Sequence, residues 1–354
     1  MAMPTVALDG MGGDHAPPGI VAGALDAAAD GVRILICGDR EQLAAEVGGA
    51  EGIEIVDAAD VIGSSDEPAA AVRAKPGSSM VTACRLVRDG SAEAVVSAGP
   101  TGAMLAASLL HIGRIRGISR PGIGVPLPAL SGPCLLIDSG ANSDARAENL
   151  LQFGIMGSQF MRDVMGVERP NVGLLSIGEE PTKGNAVTVE AHALLADAAG
   201  VHFLGNCEGR DVLTGRFDVV VADGFAGNVL LKGLEGAATA LLSEVRRAAE
   251  SSTRAKIGGL LLRPALRAMR DRTDPDTTGG AYLLGLRGPV VIAHGNAGRK
   301  GIANAIRIAA RGAEVGVAAG LAARLAAERP TSDLQPPAAT NTVPQVAAPE
   351  IGDQ

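Results

Sequence analysis

Tryptophan is absent from this chain, tyrosine occurs once, and aromatic residues make up only 2% of it. So few rings offer little for bases to stack on, and a net charge of −8 repels a phosphate backbone. No nucleic-acid partner is expected. Cysteine is scarce as well: Cys37, Cys84, Cys134 and Cys207 form no CxxC pair, which argues against a zinc site or a dithiol redox motif. Three of them lie in or beside apolar runs and read as buried thiols. The five histidines show no metal-ligand spacing, and neither HExxH nor GxxxxGK[ST] occurs. No apolar stretch reaches about 18 residues, so no membrane-spanning helix is expected. MAMPTVALDG lacks the basic and apolar regions of a signal peptide. A reducing cytoplasm fits all of these absences.

What remains is aliphatic. Hydrophobic residues form 47% of the 354, enough for a sizeable core of Ala, Val, Leu and Ile. Short apolar runs predict strands over 5–9, 32–38, 53–56, 94–97, 134–138, 172–176, 201–204, 219–222 and 290–293. Amphipathic helices lie between several of them, such as 19–29, with Ile20, Val21, Ala24, Leu25 and Ala28 on one face. Such alternation predicts an α/β fold with a largely parallel, doubly wound sheet. Ligands of such sheets bind beyond the carboxyl ends of the strands. Residues 1–329 read as one α/β domain with a helical excursion at about 244–274 and an Ala-rich terminal helix at 314–328. The Pro- and Ala-rich segment 330–354 reads as a disordered tail.

The strand ends carry the unusual residues. Asp9 is followed by Gly12, Gly13 and Asp14, and Ser97 by Gly99, Pro100, Thr101 and Gly102. Asp138 precedes Gly140 and Asn142; the strand ending at Ser176 precedes Gly178, Lys183, Gly184 and Asn185. Asp223 opens a segment with Gly224, Gly227, Asn228 and Lys232, and His294 precedes Gly295 and Asn296. Glycine lets backbone approach a ligand closely, and a helix start offers unpaired N–H groups at the positive end of its dipole. Six such loops around one cleft would form an oxyanion site. The first could be mistaken for a dinucleotide fingerprint, but it reads GxGxxH, with His15 where close helix packing needs Gly or Ala. Lys183 can meet a phosphate as a point charge. Lys232 can do the same or pair with Glu235 three residues on.

In this order, the stretches LDGMGGDHAP, SAGPTGA, LIDSGAN, LLSIGEEPTKGN, ADGFAGNVLLKGLEG and GGAYLLGL…VVIAHG resemble the phosphate acyltransferase of bacterial phospholipid synthesis, the PlsX family. They span about residues 4–312. Gly10 stands where that family usually has Ala. Pro100 stands where it usually has Asn, which removes a side-chain amide and a backbone N–H. The resemblance implies an isocitrate-dehydrogenase-like α/β/α sandwich and a homodimer. It implies the conversion of acyl-acyl carrier protein and inorganic phosphate to acyl phosphate and free carrier, without a cofactor. A coenzyme A-dependent phosphate acetyl- or butyryltransferase is the nearest enzyme alternative. A decarboxylating dehydrogenase using metal and NAD shares the fold, and a non-catalytic acyl-carrier-binding scaffold is a reading of another class.

Phosphate is already a nucleophile near neutral pH, so the reaction needs placement and oxyanion stabilisation more than a covalent intermediate. Under the resemblance, Lys183, Asn185, Asn228 and His294 are the catalytic candidates. His294 either shuttles a proton or is a satisfied structural histidine. The carboxylates Asp9, Asp14, Asp138 and Asp223 would repel phosphate if bare and are expected to orient neighbours or cap helices. The excursion holds basic and apolar faces. Arg263, Arg267 and Arg270 recur at helical spacing beside Leu261 and Leu262. They are candidates for docking the acidic carrier protein or an anionic membrane surface, or for the dimer contact.

Overall fold

The computed structural model describes residues 4–273 and 275–327. Its strands are β1 (Thr5–Asp9), β2 (Arg33–Gly38), β3 (Ile53–Asp57), β4 (Ala94–Ser97), β5 (Gly122–Ala129), β6 (Gly132–Ile137), β7 (Asn171–Leu175), β8 (His202–Cys207), β9 (Val219–Val221), β10 (Ala281–Leu284) and β11 (Val290–Ile292). Its helices are α1 (Pro18–Ala29), α2 (Arg40–Val47), α3 (Pro68–Ala74), α4 (Ser79–Arg88), α5 (Thr101–His111), α6 (Ala147–Asp163), α7 (Ala186–Ala196), α8 (Gly224–Glu250), α9 (Thr253–Thr273), α10 (Pro275–Thr278), α11 (Arg299–Glu314) and α12 (Val317–Ala327).

All eleven strands join one sheet in the order β3-β2-β1-β4-β11-β10-β5-β6-β9-β7-β8. Alternate side chains of a strand face opposite ways, so apolar residues at every position need cover on both faces. Val6, Leu8, Ile34 and Ile36 pack on one face, in the core that α1, α6 and α11 cover. Ala7, Leu35, Cys37 and Val95 pack on the other, beneath α4 and α5. A smaller core joins Leu127, Leu136 and Val220 to Phe217.

Two strands depart from the expected alternation. β10 runs antiparallel to both β11 and β5, and β5 runs antiparallel to β6. They separate two parallel groups, β3-β2-β1-β4-β11 and β6-β9-β7-β8. The run GIGVPLPA hides β5 from a pattern reading, because Pro126 and Pro128 argue against a central strand. The excursion also differs from its expected limits. It is a hairpin of two helices that begins at Gly224, directly after β9, and turns at Ser251 and Ser252. The terminal helix starts at Val317, because Gly316 takes a left-handed φ of 64° and ends the preceding helix. Residues 328–354, including the expected tail, lie outside the described residues. Among the described residues no helix is long and apolar enough to cross a membrane.

Candidate active site

A cleft of about 1210 Å³ opens between the two parallel groups. It gathers parts of five of the six strand-end loops: Gly12, Gly13 and Asp14; Gly99, Pro100, Thr101 and Gly102; Ser139 and Gly140; Asn228 with Lys232; and His294 with Gly295. Sequence reasoning missed several further lining groups. Val61, Ile62, Gly63 and Ser64 lie in the connection between β3 and α3, and Asp276, Gly279 and Gly280 precede β10.

The first two loops hang on a buried carboxyl. Asp9, at the end of β1, is 1% exposed and accepts from the Ser97 hydroxyl at 2.7 Å. The Ser97 oxygen in turn accepts from the Gly99 amide at 3.0 Å. Burial pushes the Asp9 pKa above the ordinary carboxylate value, against hydrogen bonds from Ser79, Ser97 and the Met11 and Gly12 amides. No space is left around this joint. A Cβ on Gly12 would lie 2.5 Å from the Asp9 Oδ2 and 2.8 Å from the Gly99 nitrogen. Asp9 and Ser97 therefore hold the loop in place from below, rather than touching what the cleft binds.

The payoff of this joint is the start of α5. Its N-cap is Pro100, which supplies no side-chain acceptor. The first N–H groups of a helix have no intrahelical partner, and Thr101 and Gly102, which carry two of them, line the cleft. Pro100 costs the site one donor, and it also leaves the next donors uncompeted for.

Asp138 performs a matching task after β6. It is fully buried and accepts from the amides of Ile123, Gly140, Ala141 and Asn142 and from the Asn142 carboxamide. Burial raises its pKa despite these donors. The second carboxamide hydrogen of Asn142 goes to the Pro121 carbonyl, so both are engaged within the fold. Helix α8 presses directly on this loop: a Cβ on Gly227 would run into the Asp138 carbonyl oxygen, so only glycine fits. Asp223 caps α8 by accepting from the Ala226 amide at 2.8 Å. Asn228, one turn in, is exposed toward Gly140.

The remaining candidates fall differently. Lys232 lines the cleft but pairs with Glu235 at 2.8 Å, one of the two arrangements its spacing allowed. The loop after β7 stays outside the cleft lining. Asn185 spends its side-chain oxygen on the amide and hydroxyl of Thr188, as the N-cap of α7. Lys183 is exposed on that loop, packed beside Gly178, and Gly184 takes a φ of 114°. The four cysteines are free and buried; burial raises the Cys84 and Cys134 thiols to about 12, far from a thiolate at neutral pH. On the hairpin, Leu261 and Leu262 are exposed, as are Arg263 and Arg267. The side chain of Arg270 lies outside the described residues.

Such a site can hold an anion on backbone N–H groups beside apolar walls, without a thiol nucleophile. Relatives agree with that chemistry. A family model described as "Fatty acid synthesis protein" matches residues 4–320. A phosphate acyltransferase of Heliobacterium modesticaldum is 48% identical over 315 residues, 87% of this chain and 94% of the relative. One of Pelotomaculum thermopropionicum is 49% identical over 313 residues, 87% of this chain and 91% of the relative. Among solved structures, a phosphotransacetylase from Streptococcus pyogenes superposes with a TM-score of 0.59 at 17% identity, covering 88% of this chain and 94% of the other. The EutD phosphotransacetylase from Staphylococcus aureus gives 0.56 at 18% identity, with the same coverage. These two share the fold. The sequence matches run through both parallel groups of the sheet and every loop of the cleft, and the chain belongs to the phosphate acyltransferase family of fatty acid and phospholipid synthesis.

Proposed function

We propose that this phosphate acyltransferase takes its acyl group from acyl carrier protein and passes it to inorganic phosphate at the start of α5. The observation that carries this reading is the start of α5, where no side chain caps the helix and Thr101 and Gly102 line a cleft walled by glycine loops. One phosphate oxygen attacks the thioester carbonyl carbon. The new C–O bond forms as the carbonyl becomes an oxyanion, which the preorganised donors stabilise. The C–S bond then breaks and the carrier leaves as a thiol once its sulfur takes a proton. Asn228 is the proposed side-chain donor, and His294 is the proposed proton carrier at the opposite wall. Asp9, Ser97, Asp138 and Asn142 act through the loops they hold. Lys183 serves as an exposed cation that draws anions toward the cleft mouth.

The hairpin α8–α9 is proposed as the docking element. Leu241, Leu242, Val245, Ile257, Leu260, Leu261 and Leu262 are all exposed on it, so it presents apolar surface that the rest of the described chain leaves uncovered. A second copy of the chain covers part of this surface. The tip at Leu260, Leu261 and Leu262, with Arg263 and Arg267, meets carrier protein or an anionic membrane reversibly.

Purified protein given acyl-carrier thioester and phosphate should form acyl phosphate, trapped as the hydroxamate by hydroxylamine. No acyl phosphate from any thioester overturns the reading, and equal kcat/KM with a coenzyme A thioester overturns the choice of carrier. Charge reversal at Arg263 and Arg267 should raise KM for the carrier-bound donor and spare a small thioester.

A further inference from the structure

The cleft is longer than phosphate and a thioester need, and the surplus is apolar. Along α8, Asn228, Leu231, Leu234, Ala238 and Leu242 line it, with the Lys232–Glu235 pair and Thr239 beside them. Their spacings are three and four, so they form one stripe of the helix. The stripe begins beside Gly140 with a carboxamide and an ion pair and ends in small and apolar groups. From Asn228 to Leu242 it covers about 21 Å at ~1.5 Å per residue. Opposite it stand Val125, Leu127 and Leu213, which belong to or pack against the small core under α8. The hydrocarbon core of a bilayer, about 30 Å across two leaflets, gives a membrane-length acyl chain a reach of ~15 Å. The stripe exceeds that reach.

We propose that the channel between this stripe and β5 binds the hydrocarbon chain of the donor, and that Ala238 sets the longest chain it accepts. The inference rests on the proposed acyl transfer and extends it to the substrate's tail. Three observations point to a saturated or monounsaturated fatty chain as the occupant. The lining is continuous with the anion-binding loops, its α8 side carries no charge beyond the Lys232–Glu235 pair, and its length exceeds the reach of such a chain. A carbonyl carbon near Asn228 would place the end of a membrane-length chain beside Ala238, ten positions on and about 15 Å away. The methyl side chain of Ala238 leaves the channel open there; a bulky one closes it.

The test compares hexadecanoyl and octanoyl donors on three proteins. Ala238→Phe should lower the ratio of kcat/KM, hexadecanoyl over octanoyl, by about tenfold or more, because each methylene shut out of an apolar wall costs about fourfold. Ala240→Phe, on the same helix but off the lining stripe, should keep the wild-type ratio. An unchanged ratio in Ala238→Phe, or the same fall in both variants, overturns the proposal. A second measurement separates chain binding from catalysis. The chain has no tryptophan, so Leu234→Trp, which lines the cleft before Ala238 and leaves its methyl in place, carries the sole indole. Its emission should shift to the blue with a hexadecanoyl thioester and not with an acetyl thioester. A shift in a protein that forms no acyl phosphate would uphold the channel and reject the reaction. No shift at donor concentrations that saturate turnover would reject the channel and leave the reaction standing.

Discussion

The start of α5 and the start of α7 look alike as sequence and differ as chemistry. Each follows a strand, contains glycine and has a small polar residue near the helix. At α7 the cap is Asn185, whose oxygen takes the Thr188 amide, so the helix end is satisfied by its own chain. At α5 the cap is Pro100, which has nothing to offer, and the loop beneath is fixed by Ser97 and Asp9 instead. The start of α7 spends a donor on stability. The start of α5 keeps its donors, and draws its rigidity from a buried hydrogen-bond chain that runs from Asp9 through Ser97 to the Gly99 amide. A helix start serves a ligand when its own residues leave it unfinished.

The largest expected effect breaks the anchored loop. Gly12→Ala drives a methyl into Asp9 and the Gly99 amide, and should lower kcat/KM by about a hundredfold, the cost of an ångström-scale misplacement. Steady-state kinetics with circular dichroism will show whether the protein still folds; wild-type kcat/KM would rule out the joint. Ser97→Ala leaves the Gly99 amide and the Asp9 carboxyl without their shared partner. Unfolding in urea should show a loss of about 1–3 kcal/mol. Phosphate KM should rise about tenfold, one step in ~1.4 kcal/mol, with kcat less affected.

Asp9→Asn tests the same joint through pH. Burial raises the folded-state pKa of Asp9, so the folded protein holds this proton more tightly than the unfolded chain. That contribution to stability is full below the unfolded value and is lost as pH rises through the folded one. The variant cannot ionise. Its stability relative to wild type should therefore climb as pH rises from the acid range to neutrality. Denaturation curves at several pH values that keep a constant difference would contradict the raised value. The smallest effect concerns the other loop. Lys183→Ala should raise phosphate KM about threefold at low salt, and the difference should fade as ionic strength rises, because an exposed charge acts at a distance that salt screens. A loss that persists in high salt would put Lys183 in direct contact with phosphate.

Much of the fold was legible. The buried runs around Val6, Ile34, Val95, Leu135 and Val219 read as strands because parallel strands covered on both faces are apolar throughout. β5 was not, since Pro126 and Pro128 are tolerated there by pairing that no pattern encodes. Glycine marked five loops that line the cleft and a sixth, after β7, that does not. What glycine could not reveal is where each polar side chain spends its hydrogen bonds. Asn142, Asn185 and Asn228 are the same residue type in similar settings, yet the first props a loop, the second caps a helix and the third faces the cleft. The stripe on α8 escaped notice because Leu231 and Leu234 look like ordinary core until the opposite wall is seen.

Helix α8 is fixed at one end. Gly224 and Gly227 are its only buried residues, clamped against the Asn142 backbone and the Asp138 carbonyl, and the 23 residues after them, 228 to 250, are braced chiefly by α9. In mechanical terms it is a cantilever. A load at the free end, such as the proposed docking on the hairpin would apply, deflects Leu242 far more than Asn228. Such deflection widens or narrows the distal channel and leaves the reacting groups in register. Under the proposed acyl transfer, the compliance of one helix would let the channel change width while the centre stays still.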